Sequence, residues 1–153
     1  MTEIVQATTA EHIDAVRKLW SSYWNELGFT PCFQNFEQEL ADLPGKYAPP
    51  TGRLLVAVVD GAVAGAIAFR DLDGEACEAK RLYVAAEYRG IGIARALMAR
   101  VIEEARAVGY RRMVGDTMPV MKQALAMYDR MGFRRIDGYG GSTDGAICIE
   151  YVL

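Results

Sequence analysis

Between Lys80 and Met98 the chain reads Lys-Arg-Leu-Tyr-Val-Ala-Ala-Glu-Tyr-Arg-Gly-Ile-Gly-Ile-Ala-Arg-Ala-Leu-Met, a β-prone run that passes through a glycine-bearing turn into a helical pattern. Gly90 and Gly92 let the main chain approach an anion closely, and the first free N–H groups of the helix, at its positive dipole end, then face that anion. Arg89 and Arg95 add side chains able to donate charged hydrogen bonds to phosphate. The plainer alternative is a glycine-rich connection with solvated arginines. Taken as a dinucleotide fingerprint, Gly90-x-Gly92-x-x-Arg95 has arginine where the third glycine belongs, and no Gly-Lys-Ser/Thr follows to make a phosphate loop.

Other reactive residue types are sparse. Cys32, Cys77 and Cys148 have neither paired spacing nor an even count, so they read as small core residues of a reduced compartment. A catalytic thiol needs a histidine partner, and the one histidine, His12, falls in the opening turn of an expected helix, where it reads as a surface residue. A net charge of -3 with dispersed basic residues argues against nucleic acid. The longest apolar stretch, Leu54 to Phe69, is interrupted by Asp60 and Gly61, which argues against a membrane helix. Met1 to Ala10 lacks the pattern of a signal peptide, and the expected location is cytoplasmic.

The elements that must hold the glycine turn follow from periodicity. Ile4 to Ala7 reads as a first strand, and Thr8 with Glu11 has the spacing of a capping box. Ile13, Val16, Trp20, Tyr23, Trp24 and Leu27 then recur on one helical face up to Gly28. Phe33 to Asp42 predicts a second helix, and the Pro- and Gly-dense segment Leu43 to Gly52 a loop. Leu54–Val59 and Ala62–Arg70 flank Asp60-Gly61, a hairpin signal, and a turn at Asp73-Gly74 leads into a third strand, Glu75–Val84. After the glycine turn, Ile91, Ala94, Leu97, Met98, Val101, Ile102 and Ala105 form one face of a helix stopped by Gly109. Arg112–Asp116 predicts a strand, Pro119–Met131 a helix closed by Gly132, Phe133–Ile136 a strand, and Ile147, Ile149, Tyr151 and Leu153 the last strand. At 153 residues and 52% apolar content this is one expected domain over 1–153, in the order β-α-α-β-β-β-α-β-α-β-β.

Arg89-Gly-Ile-Gly-Ile-Ala94 resembles the Arg/Gln-x-x-Gly-x-Gly/Ala signature of the GNAT superfamily of N-acetyltransferases, and the strand before it is similar to that family's Glu-x-Lys-Arg-Leu-Tyr-Val. Leu125-Ala-Met-Tyr-Asp-Arg-Met-Gly-Phe133 resembles the family's Leu-Tyr-x-x-x-Gly-Phe block, with Met127 in place of leucine before Tyr128. The resemblance implies an α/β (α+β) fold with a mixed, mainly antiparallel sheet and helices on both faces. It implies acetyl-CoA as co-substrate, a small-molecule amine as acceptor, and direct transfer in a ternary complex without a metal. It is also compatible with a homodimer, with a protein amine as acceptor, and with a non-catalytic acyl-CoA-binding module.

On this resemblance the pyrophosphate is held by the backbone at Arg89, Gly90, Gly92, Ile93 and Ala94, while Leu82, Tyr83 and Val84 offer main-chain groups to the thioester side. An amine of lysine type must lose a proton before attack, at a cost of about 4.6 kcal/mol at pH 7. Glu78 stands where the family often has its base, with an ordinary Glu78–Lys80 surface pair as the competing reading. Tyr128 stands where the family has its acid near the departing sulfur, and it also shares a helix face with core residues. Tyr23, Trp24, Phe29, Phe33, Phe36 and Tyr47 concentrate aromatic surface where the family builds its acceptor wall, although most read as core. Asp116 and Thr117 read as caps of the next helix, and Glu37 and Glu39 as either a solvated face or an attraction for a cationic acceptor.

Overall fold

The computed structural model describes residues 2–27, 34–119, 121–140 and 145–153. Among these, seven strands form one sheet: β1 (Thr2–Gln6), β2 (Arg53–Val59), β3 (Ala62–Asp71), β4 (Ala76–Val84), β5 (Arg112–Thr117), β6 (Arg134–Ile136) and β7 (Ile147–Val152). The helices are α1 (Ala10–Leu27), α2 (Gln34–Asp42), α3 (Ile93–Val108) and α4 (Lys122–Met131). Across the sheet the strands run β1-β2-β3-β4-β5-β7-β6, and every neighbouring pair is antiparallel except β4–β5. The α/β fold with a mainly antiparallel sheet is therefore as expected, and helices cover both faces.

Asp60 and Gly61, at φ 49° and 85°, turn β2 into β3 with two positive-φ residues, the geometry that follows the twist of a hairpin. On one face α3 buries Ile93, Leu97, Met98, Val101, Ile102 and Ala105 beside Met127 and Tyr128 of α4. On the other, Val16, Leu19 and Trp20 of α1 and Phe36 of α2 pack over Leu54, Val56, Ala66 and Ala68. Two expectations shift. The cap of α1 is Thr9, whose Oγ1 accepts the His12 amide at 3.1 Å, so Thr8 and Glu11 form no capping box. Ile91 is 64% exposed and precedes α3, its expected place on the buried face being taken by Ile93. The expected stop at Gly28, together with Cys32 and Phe33, lies outside the described residues.

Strand β4 does not alternate uniformly. Ala66 pairs with Tyr83 and Ala68 with Lys80, so Arg81 and Leu82 together oppose Ile67, and Arg81 takes a φ of 63°. The bulge shifts the phase of the pleat. Cys77 and Ala79 before it, and Leu82 and Val84 after it, share the α3 face. Glu78, Lys80, Arg81 and Tyr83 belong to the α1/α2 face, so Glu78 does not share a face with Leu82 and Val84, as simple alternation suggests.

Candidate functional site

Strands β4 and β5 pair in parallel only from Ala76 to Glu78 opposite Arg112 to Val114. Beyond that they part, and a cleft of about 750 Å³ opens between them, with α3 and α4 at its mouth. Gly115 sits at the parting, where a side chain would bring a Cβ within 3.3 Å of the Ala79 carbonyl oxygen.

The glycine turn forms one lip. Gly90 and Gly92 have φ values of 84° and 85°, a region that side-chain-bearing residues adopt only under strain. Gly92 is the N-cap of α3 and provides no side-chain cap, and the first turn of the helix has no acidic residue. The helix ladder starts with the Ala96 amide donating to the Gly92 carbonyl at 3.1 Å, which leaves the amides of Ile93, Ala94 and Arg95 without intrahelical acceptors. These donors, the helix dipole and the basic side chains of Arg95, Lys122 and Arg130 all border the cleft. Arg95 is exposed and bonds to no described residue. The Arg89 guanidinium is engaged instead. It pairs with Glu26 through bonds of 2.9 and 2.8 Å, donates to the Val84 carbonyl at 2.9 Å, and lies 5.2 Å from the Tyr83 ring centre. Arg89 thus ties the turn to α1, and its own amide donates to the Ala86 carbonyl at 3.3 Å, so neither its side chain nor its N–H is open to the cleft as expected.

Leu82, Tyr83 and Val84 line the floor on the β4 side, and Met127 and Tyr128 approach from α4. Tyr128 is 8% exposed, and burial, with a smaller contribution from Tyr23, pushes its phenol well above the ordinary value of 10.0. The group is therefore a neutral hydrogen-bond donor. Tyr23 closes the α1 side, stacked on Tyr83 at 5.3 Å and donating to the Met121 sulfur at 3.7 Å. Thr117 donates to that sulfur at 3.4 Å and does not cap α4, and with Asp116 it lines the cleft.

Glu78 is fully buried at the base of the parting and does not line the cleft. Its Oε1 accepts from Arg70 Nε at 2.8 Å, its Oε2 accepts the Tyr139 phenol at 2.6 Å, and Lys80 Nζ stands 3.8 Å away. A surface pair with Lys80 is thus not its environment. The structure brings the nine residues expected on the cofactor side and Tyr128 around one cleft and leaves Glu78 beneath it. Lys122, Gln123 and Arg130 escape sequence reasoning because they lie on the exposed face of α4, where polar residues carry no periodic signal. Tyr139 escapes because it lies between strands. Of the aromatic group, Trp24 and Phe36 stack on each other at 4.6 Å and Tyr47 is fully buried, so they are core, while Phe29 lies outside the described residues. Glu39 is not a solvated face residue: it is held by Arg81 at 2.6 Å and Lys46 at 3.0 Å.

The model of the acetyltransferase (GNAT) family matches residues 13–133. An uncharacterised N-acetyltransferase of Schizosaccharomyces pombe is 35% identical over 131 residues, which cover 84% of this chain and 80% of the relative. A GNAT-family acetyltransferase from Staphylococcus aureus Mu50 has the same fold, with a TM-score of 0.86, 17% identity and 99% of each chain covered. So does the PaiA N-acetyltransferase of Thermoplasma acidophilum, solved in complex with coenzyme A, with a TM-score of 0.77, 17% identity, and 100% of this chain and 99% of that one covered.

Proposed function

Because the chain belongs to the GNAT family of acetyltransferases, we propose that it transfers the acetyl group of acetyl-CoA to the primary amine of a small molecule by direct attack in the cleft between β4 and β5. The observation that carries this reading is the uncapped, acid-free start of α3 behind two positive-φ glycines, opening onto a cleft with basic side chains at its mouth. That lip has the donors and charge that a nucleotide pyrophosphate needs, and the cleft volume suits a cofactor-sized ligand.

Acetyl-CoA supplies an activated acyl thioester; the amine nitrogen forms the new C–N bond, the C–S bond breaks, and the amine proton leaves by way of the protein or solvent. The amides of residues 93–95, with Arg95, Lys122 and Arg130, hold the anionic end. The unpaired edge of β4 beyond Glu78 presents main-chain groups of Leu82 to Val84 to the acyl end, where an N–H can stabilise developing negative charge on oxygen. Tyr128 donates a hydrogen bond to the departing sulfur. Even at ordinary values, complete transfer from phenol to thiolate is uphill by about 2 kcal/mol, and burial makes it more so. Glu78, with both carboxylate oxygens occupied and outside the cleft lining, acts on the amine proton through water rather than by touching the amine.

The test is CoA-thiol release against a panel of amines, repeated with Tyr128→Phe and Glu78→Gln. Tyr128→Phe is expected to lower kcat by about 10- to 100-fold with little change in acetyl-CoA affinity. Turnover equal to that of the unaltered chain removes Tyr128 from the reaction. Since the phenol is raised above 10.0, no alkaline loss of turnover should arise from Tyr128 up to that pH.

A further inference from the structure

Lys80 borders two cavities. It lines the cleft, and together with Arg81 it also lines a second cavity of about 480 Å³ under α2 and the turn Gly45–Tyr47. The two residues are the wall where these spaces meet.

The charged groups around that wall differ in how closely they are held. Arg81 is held by Glu39 through bonds of 2.6 and 3.3 Å and lies over the rings of Trp24 and Phe36, at 5.0 and 5.1 Å. Lys46 also pairs with Glu39, at 3.0 Å, and Arg70 is bonded to Glu78 at 2.8 Å. Asp42 accepts from Gln38 at 3.0 Å on the exposed rim of α2. Lys80 remains. Its ion pair among the described residues is with Glu78 at 3.8 Å, beyond hydrogen-bond reach, and the oxygen concerned already accepts the Tyr139 phenol at 2.6 Å. The side chain is 19% exposed, and its ammonium, with three donors, makes no hydrogen bond to a described residue. Among these described cations, Arg70, Arg81 and Lys46 each lie within 3.0 Å of a carboxylate oxygen, whereas Lys80, at the cavity junction, does not. Asp116, on β5, lines the cleft as well.

We propose that the acceptor is an amine bearing a carboxylate, of the α-amino acid class, whose carboxylate is received by Lys80 where the second cavity opens into the cleft. The inference rests on the acetyltransferase reading and specifies the substrate of that site. Its physical basis is that a ligand carboxylate completes the lysine's hydrogen bonds at the point where both cavities meet. The chain's overall negative charge leans toward purely cationic acceptors; the open donors of Lys80 point the other way.

The experiment measures thiol release from saturating acetyl-CoA with the L-amino acids, with their C-terminal amides, and with spermine and tyramine as amines lacking a carboxylate. One charged hydrogen bond predicts that kcat/KM for at least one amino acid exceeds that of its amide by about tenfold or more. Lys80→Met should bring that ratio close to one, and Lys80→Arg should keep the acid preferred. Amides used as well as acids, or acetylation of spermine or tyramine with no acid acetylated, overturns the proposal without needing any variant. Calorimetry with acetyl-CoA separates the two levels: no binding defeats the acetyltransferase reading itself, whereas binding together with indifference to the carboxylate defeats the acceptor assignment alone.

Discussion

At the start of α1 the Thr9 hydroxyl accepts the His12 amide at 3.1 Å and Glu11 stands in the first turn, whereas α3 starts at Gly92 with no side-chain cap and no acid in its first turn. Both helices face the same physical problem, a set of amides without intrahelical acceptors at a positive dipole end. In α1 the chain solves it internally with a hydroxyl and a carboxylate. In α3 glycine can offer no side chain, and the donors open onto the cleft. On the proposed function the difference separates a helix start that serves folding from one that serves binding, and it predicts opposite mutational signatures at the two places.

The largest effect belongs to Gly92→Val. Forcing a β-branched residue to a φ of 85° costs about 1–3 kcal/mol, and its methyls would stand in the open space over the donors, so acetyl-CoA affinity by calorimetry should weaken about 100-fold. Retained affinity would erase the distinction between the two helix starts. Thr9→Ala should do the reverse: losing the cap costs about 1 kcal/mol, which lowers the thermal midpoint by about 2–4 °C and leaves acetyl-CoA affinity within error. The smallest effect joins the two regions. Glu26, near the far end of α1, holds Arg89 beside the glycine turn, and its carboxyl lies below the usual range through the Arg89 hydrogen bond. Glu26→Gln removes an anion near the cradle and should tighten acetyl-CoA about twofold at low ionic strength, an effect that salt abolishes.

Much of this was readable in advance where local chemistry decides structure. Asp60-Gly61 gives the hairpin, Gly109 and Gly132 close their helices, and Gly90 and Gly92 form the expected glycine turn into α3. Ile91 misled because its spacing suits the buried face, yet the helix begins after Gly92 and leaves it at the tip of the turn. The cap of α1 slipped by one residue because Thr8 and Thr9 are both competent. Glu78 shows the deeper limit. Its role depends on Arg70 across the hairpin and on Tyr139, 61 residues later in the chain, and no local pattern announces either partner. The bulge was equally hidden, since it places an arginine at a backbone angle that sequence rules reserve for glycine or asparagine.

That bulge makes β4 a strand with two phases. Removing one residue from the Arg81–Leu82 pair would restore strict alternation and rotate everything downstream by half a turn, sending Tyr83 toward α3 and Val84 toward α1. The stretches of this one strand before and after the bulge are therefore offset by a single inserted residue, and a deletion there would uncouple them even though neither stretch had changed its sequence.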